Sequence, residues 1–260
     1  MIRKLTEQDH EQVMKLLKKE PSLNLFLIGD IEAYGYRQDF QELWGDLTED
    51  GTIQAVLLRF HDSFIPYANG PLPTEEFAKK MKEYEKITLS GKSDIIEQFE
   101  NIQDLQLGPK RKMYFCECLN ADKVSHSEKR HIKLATLDDV DRIIELRQLI
   151  KEFTLTPYAR QMLKQAIETK TGRTYYIEDG GQIAACASTA AENSLSAMIV
   201  GVCTHPNYRN KGFASLILSQ MIADITSKGK TLCLCYDNPA AGRIYKRLGF
   251  TDIGMWTMYR

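Results

Sequence analysis

The spacing of apolar residues in the second half of the chain changes from one segment to the next. Between residues 138 and 150, apolar side chains recur every three or four positions, which predicts an amphipathic helix. Residues 182–190 and 231–236 are instead short apolar runs beside turn-forming residues, which predicts buried strands. The predicted elements of this half are helices at 138–150, 157–170, 212–228 and 239–248, strands at 173–178, 182–190, 195–204 and 231–236, and a last strand or hairpin at 250–259.

The same alternation of helical and extended patterns runs through the first half. Predicted helices lie at 8–19, 74–84 and 92–100, and predicted strands lie at 41–47, 52–60, 63–68, 86–90 and 111–119. Strands interleaved with helices favour an α/β (α+β) fold with a mixed sheet over a helical bundle or a β-sandwich.

The two halves of the chain begin alike. Residues 2–9 and 132–139 each predict a short strand followed by a Thr or Asp cap that opens a helix. Two copies of one architecture would explain this likeness, and so would a coincidental strand–helix start. Because residues 123–130 are polar and nearly free of large apolar groups, they indicate a linker. We therefore expect one domain at 1–122 and a second at 131–260.

Composition limits the classes of protein to consider. The 260 residues are 43% hydrophobic and can form one large or two ordinary domains. The net charge of −1 divides into −6 for residues 1–125 and +5 for the rest, without a run of five like charges, so we expect no nucleic-acid partner. No apolar run is long enough to span a membrane, and acidic residues enter the N-terminus early, so we expect no membrane partner and a cytoplasmic location.

The six cysteines indicate neither a disulfide framework nor a zinc site. Cys116 and Cys118 form one Cys-x-Cys pair and Cys233 and Cys235 another, each inside a strand-like run. A zinc site typically uses a Cys-x₂-Cys spacing or a nearby His pair, and disulfide frameworks belong to smaller secreted chains. We expect buried, reduced thiols and no bound metal.

The segment 200–214 combines an apolar strand, a short polar loop and the start of a helix. The strand stops at Pro206, which cannot donate to a ladder, and the helix opens at Gly212. Backbone N–H groups at a helix N-terminus favour a phosphate, and Arg209 and Lys211 add positive charge. An ordinary strand–helix connection that starts with glycine has the same pattern, so this segment alone does not decide the function.

Residues 232–250 form a second strand–helix pattern. Asn238 is a preferred N-cap residue, and the proline after it suits the first helical turn. Tyr245 lies on the predicted apolar face of this helix. It is either a core aromatic or a phenol at the rim of the cleft that the phosphate loop borders.

In this order, the two segments resemble the acetyl-CoA-binding core of the GNAT superfamily of N-acetyltransferases. The residues that carry the resemblance are V-C-T-x-P-x-Y-R-x-K-G-x-A at 202–214 and N-P-A-A-x-x-I-Y-x-x-L-G-F at 238–250. The resemblance implies a mixed, mostly antiparallel sheet flanked by helices. With the repeated start, it implies two GNAT-like domains in tandem, of which 131–260 is the catalytic one.

The resemblance also assigns roles to residues. Acetyl-CoA is the implied co-substrate, and an amine attacks its thioester directly. Backbone groups of Val202 and Thr204 would bind the pantetheine arm, Asn238 would contact that arm or the acetyl region, and Tyr245 would protonate the departing thiolate. The amides that would hold the pyrophosphate are those of Arg209, Asn210, Lys211, Gly212, Phe213 and Ala214.

A general base is missing from its usual place, since residues 195–204 contain no carboxylate. Asp237, Glu152 or a relaying water molecule are the alternatives. His205 precedes Pro206, and we expect it at the loop surface rather than in catalysis.

The first half has no comparable phosphate loop. After the strand at 63–68, Pro71 and Pro73 remove two amide donors from the connection. We therefore expect a degenerate copy of the fold that binds CoA poorly and instead covers one side of the acceptor site or forms an interface.

The predicted function is N-acetyl transfer, an acyltransferase activity of class EC 2.3.1. The expected acceptor is a primary amine on a small molecule, peptide or protein, and the expected assembly is a monomer or homodimer. Two alternatives stay open: a non-catalytic acyl-CoA-binding sensor or structural module, and an acyltransferase that uses another acyl-CoA or an oxygen acceptor.

Overall fold

The computed structural model describes residues 1–124 and 131–260, so most of the predicted linker at 123–130 lies outside the described residues. The chain forms two compact units, here called the N-terminal and the C-terminal unit. The N-terminal unit comprises Met1–Phe115, Cys235–Asp237 and Asp252–Arg260, and the C-terminal unit comprises Cys116–Leu234 and Asn238–Thr251.

The first half of the chain runs through one strand, two helices, three strands, a helix, a strand, a short helix and a strand. Its elements are β1 Ile2–Lys4, α1 His10–Leu17, α2 Leu25–Tyr34, β2 Gln41–Leu47, β3 Ile53–Phe60, β4 Ser63–Ala68, α3 Thr74–Met81, β5 Thr88–Lys92, α4 Ser93–Ile96 and β6 Lys110–Cys118. Strands β1 to β4 pair antiparallel in chain order, and β4 pairs parallel with β5.

The second half repeats this succession. Its elements are β7 Ile132–Leu134, α5 Val140–Gln148, α6 Ala159–Thr169, β8 Thr174–Asp179, β9 Gln182–Ala190, β10 Ser196–Thr204, α7 Phe213–Thr226, β11 Thr231–Tyr236, α8 Pro239–Arg247 and β12 Thr251–Tyr259. Strands β7 to β10 pair antiparallel, and β10 pairs parallel with β11. The predicted mixed, mostly antiparallel sheet is confirmed, and so is the tandem repetition of one fold.

Local chemistry explains why the two halves start alike. In each, a Thr caps a single 3-10 turn and the Asp three residues later bonds back to the Thr backbone. The Thr6 N–H lies 2.9 Å from Asp9 Oδ2, and the Thr136 N–H lies 3.0 Å from Asp139 Oδ2. This capping box satisfies two donors that would otherwise lack partners, so the likeness of 2–9 and 132–139 is structural.

The core of the C-terminal unit lies between its sheet and its helices. One cluster joins α5 and α6 to Tyr176, Ile183, Cys186 and Cys203 of the strands, and α7 packs across β8, β9 and β10. This packing fixes β10, the strand that leads into the candidate phosphate loop.

Strand β12 lies at the end of the second half of the chain but pairs with a strand of the first half. It pairs antiparallel with β5, with Trp256 opposite Lys92 and Tyr259 opposite Leu89. Residues 252–260 therefore belong to the N-terminal unit, and a division into 1–122 and 131–260 does not describe their packing. The pairing is non-local, so no turn or spacing in the sequence points to it.

Helix α2 lies outside the elements that the sequence pattern predicts. Leu25, Leu27, Ile28 and Ile31 are all buried, and the helix is apolar on nearly every side. Because apolar residues occupy nearly every position from Leu25 to Ile31, the sequence shows no apolar stripe of period 3.6, and its periodicity does not reveal the helix.

Candidate active site

Strands β10 and β11 separate partway along their length. Their parallel register covers Ser196–Met198 of β10 and 231–233 of β11. Within the part of the chain that the structure describes, no pairing with β11 continues to Val202 or Thr204. Val200 is 38% exposed, and Val202 and Thr204 are half-buried. The backbone edge of β10 beyond residue 198 is thus available to a ligand that lies along it.

A bulge marks this open stretch of β10. The register with β9 shifts between Val200 and Cys203, and Gly201 has a φ of +62°. A bulge of this kind adds one residue to a strand and re-aims its backbone groups. Glycine adopts a left-handed φ without a Cβ penalty, so Gly201 makes the change of direction possible.

The predicted phosphate loop joins β10 to α7. Residues 206–208 form a 3-10 turn, Asn210 has a φ of +64°, and Gly212 caps α7 with a φ of +78°. Arg209, Asn210, Lys211 and Gly212 are exposed, and no atom lies within 4 Å of the position that a Cβ on Gly212 would take. The opening turn of α7 therefore points its amides at accessible space, although the Arg209 amide already donates to the Pro206 carbonyl over 3.4 Å.

His205 is not at the loop surface, and that prediction is wrong. The residue is only 8% exposed, and its Nδ1 accepts a hydrogen bond from the Asn207 N–H over 3.2 Å. Its ring meets the Tyr208 ring edge-on at 5.5 Å, and Lys211 Nζ lies 4.8 Å from the centre of that ring. His205 is thus a packing and capping residue that shapes the loop.

Asn238 and Tyr245 lie at the two ends of α8. Asn238 is exposed and caps the helix, with its Oδ1 accepting from the Ala240 N–H over 2.8 Å. Tyr245 is 9% exposed and packs edge-on against Phe250. Burial, with a smaller effect of Cys116, raises the pKa of Tyr245 to about 12, so its phenol keeps its proton at neutral pH.

The two carboxylates considered as general bases are held in ion pairs. Asp237 Oδ2 accepts from Arg111 Nη2 over 2.7 Å and from Nε over 2.9 Å. Glu152 lies 3.5 Å from Arg209, and both of these side chains are largely in water. Neither carboxylate is therefore poised by burial for proton abstraction.

Sequence reasoning missed Arg147 of α5, whose guanidinium lies against Gly201 of the bulge. A signal was present: residue 147 is one turn from Ile143 and falls within the apolar stripe of the predicted helix at 138–150. A charged residue at such a position has either a buried partner or a ligand. The structure also brings Cys186 and Cys203 together, with their Sγ atoms 3.5 Å apart, and none of the described cysteines forms a disulfide.

A family model described as GNAT acetyltransferase matches residues 74–259 of this sequence. The chain belongs to this GNAT acetyltransferase family. No curated protein matches the sequence. The resemblance carried by residues 202–214 and 238–250 is thereby confirmed at the level of the family.

Solved structures share the GNAT fold over the whole chain. A Drosophila protein has a TM-score of 0.70 at 12% identity and covers 100% of this chain and 98% of its own. A GCN5-related N-acetyltransferase from Sphaerobacter thermophilus has a TM-score of 0.64 at 12% identity, with 100% and 94% covered. A tandem GNAT protein from the clavulanic acid biosynthesis pathway has a TM-score of 0.63 at 12% identity, with 100% and 97% covered. At these identities the likeness shows the tandem fold alone.

Within residues 1–124 and 131–260, every helix is too short or too polar to cross a lipid bilayer.

Proposed function

We propose that this protein transfers the acetyl group of acetyl-CoA to a primary amine. The observation that carries the proposal is the separation of β10 from β11 directly ahead of a helix capped by Gly212. An extended pantetheine arm can pair with the exposed edge of β10 as an additional strand would, through backbone groups of Val202 and Thr204.

The loop that follows fits a pyrophosphate. Asn210, Lys211, Gly212, Phe213 and Ala214 would offer backbone amides at the N-terminus of α7, where the helix dipole favours negative charge. The open space around Gly212 lets phosphate oxygens approach the backbone closely. Arg209, exposed beside these amides, would add a charge-assisted contact from its guanidinium.

The transfer needs a polarised carbonyl and a proton for the leaving sulfur. A backbone N–H of β10, at Thr204 or its neighbour, would donate to the thioester oxygen as negative charge develops there. As the amine nitrogen bonds to the carbonyl carbon and the C–S bond breaks, Tyr245 would give its proton to the sulfur. The exposed side-chain amide of Asn238 would hold the arm at the start of α8.

The proton of the attacking amine would leave through water. Residues 195–204 carry no carboxylate, and Asp237 and Glu152 are engaged by arginines. An amine that enters as the free base needs only a relay to solvent once it has attacked, so the missing carboxylate does not prevent the reaction.

The lack of a carboxylate in residues 195–204 also supports a second candidate, an acyl-CoA-binding sensor without turnover. Calorimetry with acetyl-CoA, followed by free-thiol release in the presence of an amine panel, separates the two. We expect micromolar or tighter binding and amine-dependent thiol release. Binding without thiol release from any amine would favour the sensor, and failure to bind acetyl-CoA would refute both acetyl transfer and a sensor of acetyl-CoA.

A further inference from the structure

Arg147 is held against the open stretch of β10. Its Nη2 donates to Ser188 Oγ over 2.6 Å. A Cβ placed on Gly201 would lie 3.0 Å from Nη2 and 3.2 Å from Cζ of the guanidinium, so the glycine leaves the room that the guanidinium occupies. The cation therefore lies beside the segment of β10 that does not pair with β11.

This guanidinium has no carboxylate partner among the described residues. Four described arginines are buried or half-buried, and three of them pair with a carboxylate: Arg59 with Glu42, Arg142 with Glu178, and Arg173 with Glu192. Within the described chain, Arg147 has no carboxylate within 4 Å, and its buried Nε has no hydrogen-bond acceptor. A partly buried guanidinium without a carboxylate is costly, which indicates that a ligand supplies one.

Two side chains interact with the guanidinium, the Ser188 hydroxyl, which accepts from Nη2, and the Cys186 thiol. The hydrogen bond from Cys203 lowers the pKa of Cys186 most, and the charge of Arg147 lowers it further. Because the Cys186 sulfur is shared with Cys203, whose Sγ lies 3.5 Å away, it does not offer the two parallel acceptors that a carboxylate offers a guanidinium.

We infer that Arg147 binds a carboxylate of the acceptor, and that the acceptor is therefore a small amino carboxylate such as an α-amino acid. The inference rests on the proposed function, because that function places the thioester along β10. Since the guanidinium touches the same stretch of β10, the carboxylate and the attacking nitrogen must lie within a few bonds of each other. The planar guanidinium matches a carboxylate through two parallel N–H donors, which an amide or a neutral group cannot replace.

The test compares free L-amino acids with their carboxamides, which keep the shape but lose the negative charge. Because the carboxamide also has a more acidic ammonium group, kcat/KM is calculated per free-base amine. Thiol release from acetyl-CoA gives kcat/KM for each member of a pair, and calorimetry with CoA and the amino acid gives binding without turnover. For the wild type we expect kcat/KM to favour the acid by about 10- to 100-fold, the usual worth of hydrogen bonds to a charged group. Equal kcat/KM values for acid and amide would overturn the inference and leave acetyl transfer intact.

Three variants test whether Arg147 causes the preference for the acid over the carboxamide. Arg147→Gln should bring the acid-to-amide ratio of kcat/KM close to one while acetyl-CoA affinity is unchanged, and Arg147→Lys should restore part of it. Arg142→Gln is the matched control on the same helix, because Arg142 already pairs with Glu178, and its ratio should equal that of the wild type. A full preference for acids in Arg147→Gln would assign the carboxylate to another cation and overturn the inference.

Failure of the underlying function is recognised separately. If calorimetry shows no binding of acetyl-CoA to the wild type, both the proposed function and this inference are refuted. If Arg147→Gln does not fold, the wild-type ratio and the Arg147→Lys variant still decide, since neither depends on it.

Discussion

Each half of the chain contains one pair of parallel strands, β4 with β5 and β10 with β11. The two pairs differ in how the first strand continues beyond the paired residues. In the N-terminal unit, β4 and β5 pair only at Ser63–Thr88 and Phe64–Leu89, just as β10 and β11 pair only near their starts. Beyond the paired residues, β10 continues with a glycine bulge and an exposed edge. Strand β4 continues with Pro66, which has no N–H to offer, and with Tyr67, which is 2% exposed.

The side chains around β4 fill the space that the C-terminal unit leaves open. Tyr67 donates to Glu20 Oε2 over 3.0 Å, and Lys92 Nζ lies 2.9 Å from Glu20 Oε1. The loop that follows β4 contains Pro71 and Pro73, and α3 begins directly after it at Thr74. One backbone architecture thus has either an open strand edge or a filled one, and local side chains decide which.

The largest expected effect concerns two buried tyrosines, Tyr67 within β4 and Tyr245 in the helix that follows β11. Tyr245→Phe keeps the ring and removes the proton donor, so we expect kcat to fall roughly 10²- to 10⁴-fold with acetyl-CoA affinity almost unchanged. Tyr67→Phe is the control in the N-terminal unit and should leave kcat at the wild-type value. Steady-state kinetics and calorimetry measure both, and a wild-type kcat for Tyr245→Phe would make Tyr245 a packing residue.

Trp256 tests whether β12 belongs to the N-terminal unit. Its ring is 3% exposed and packs 5.8 Å from Phe26 and 5.4 Å from Phe115. Trp256→Ala should lower the free energy of unfolding by about 3–5 kcal/mol through the cavity it creates. Denaturant unfolding gives this value. At temperatures where the variant is folded, acetyl-CoA affinity should match the wild type, and loss of affinity without loss of stability would contradict the assignment.

The loop glycines give a matched pair. Gly212→Val forces a β-branched residue into a φ of +78° and disturbs the loop amides, so acetyl-CoA affinity should fall roughly 10- to 100-fold. Gly70→Val in the corresponding loop of the N-terminal unit meets a φ of +143° and equally open space, yet should not alter affinity. Calorimetry on both variants is the measurement, and equal losses would remove the distinction between the two loops.

The smallest effect concerns Arg209. Arg209→Ala should weaken acetyl-CoA binding by about 1–2 kcal/mol, because one exposed charge-assisted contact to phosphate is lost. Glu152→Ala breaks the same ion pair from the other side without removing the cation, so it should not weaken binding. If both variants bound acetyl-CoA equally less tightly in calorimetry, the ion pair rather than the phosphate contact would be responsible.

Local patterns in the sequence predicted the elements that local chemistry determines. The bounds of β9 and β11 agree with the predicted strands at 182–190 and 231–236, because short apolar runs beside turn residues define them. The capped starts at Thr6 and Thr136 follow from side chains only three residues apart. The loop from Arg209 to α7 was also visible, since glycine and proline positions mark its ends.

What the sequence did not reveal depends on non-local packing. The pairing of β12 with β5 joins residues that are 164 to 170 positions apart, from Trp256 with Lys92 to Tyr259 with Leu89. His205 reads as a polar loop residue, and only the fold shows that its ring is enclosed by Tyr208 and the turn after it. Arg147 is recognised as lacking a carboxylate partner only when the other three buried or half-buried arginines that the structure describes have been matched with theirs.

The position of β12 has a consequence for how the chain is made on the ribosome. Strand β5 emerges early, but the strand that covers its edge follows some 164 residues later. At 5–20 residues per second, the edge of β5 waits roughly 10 to 30 seconds for its partner. An uncovered strand edge can pair with other chains. Lys92 at the end of β5 is the kind of charged residue that discourages such pairing during translation.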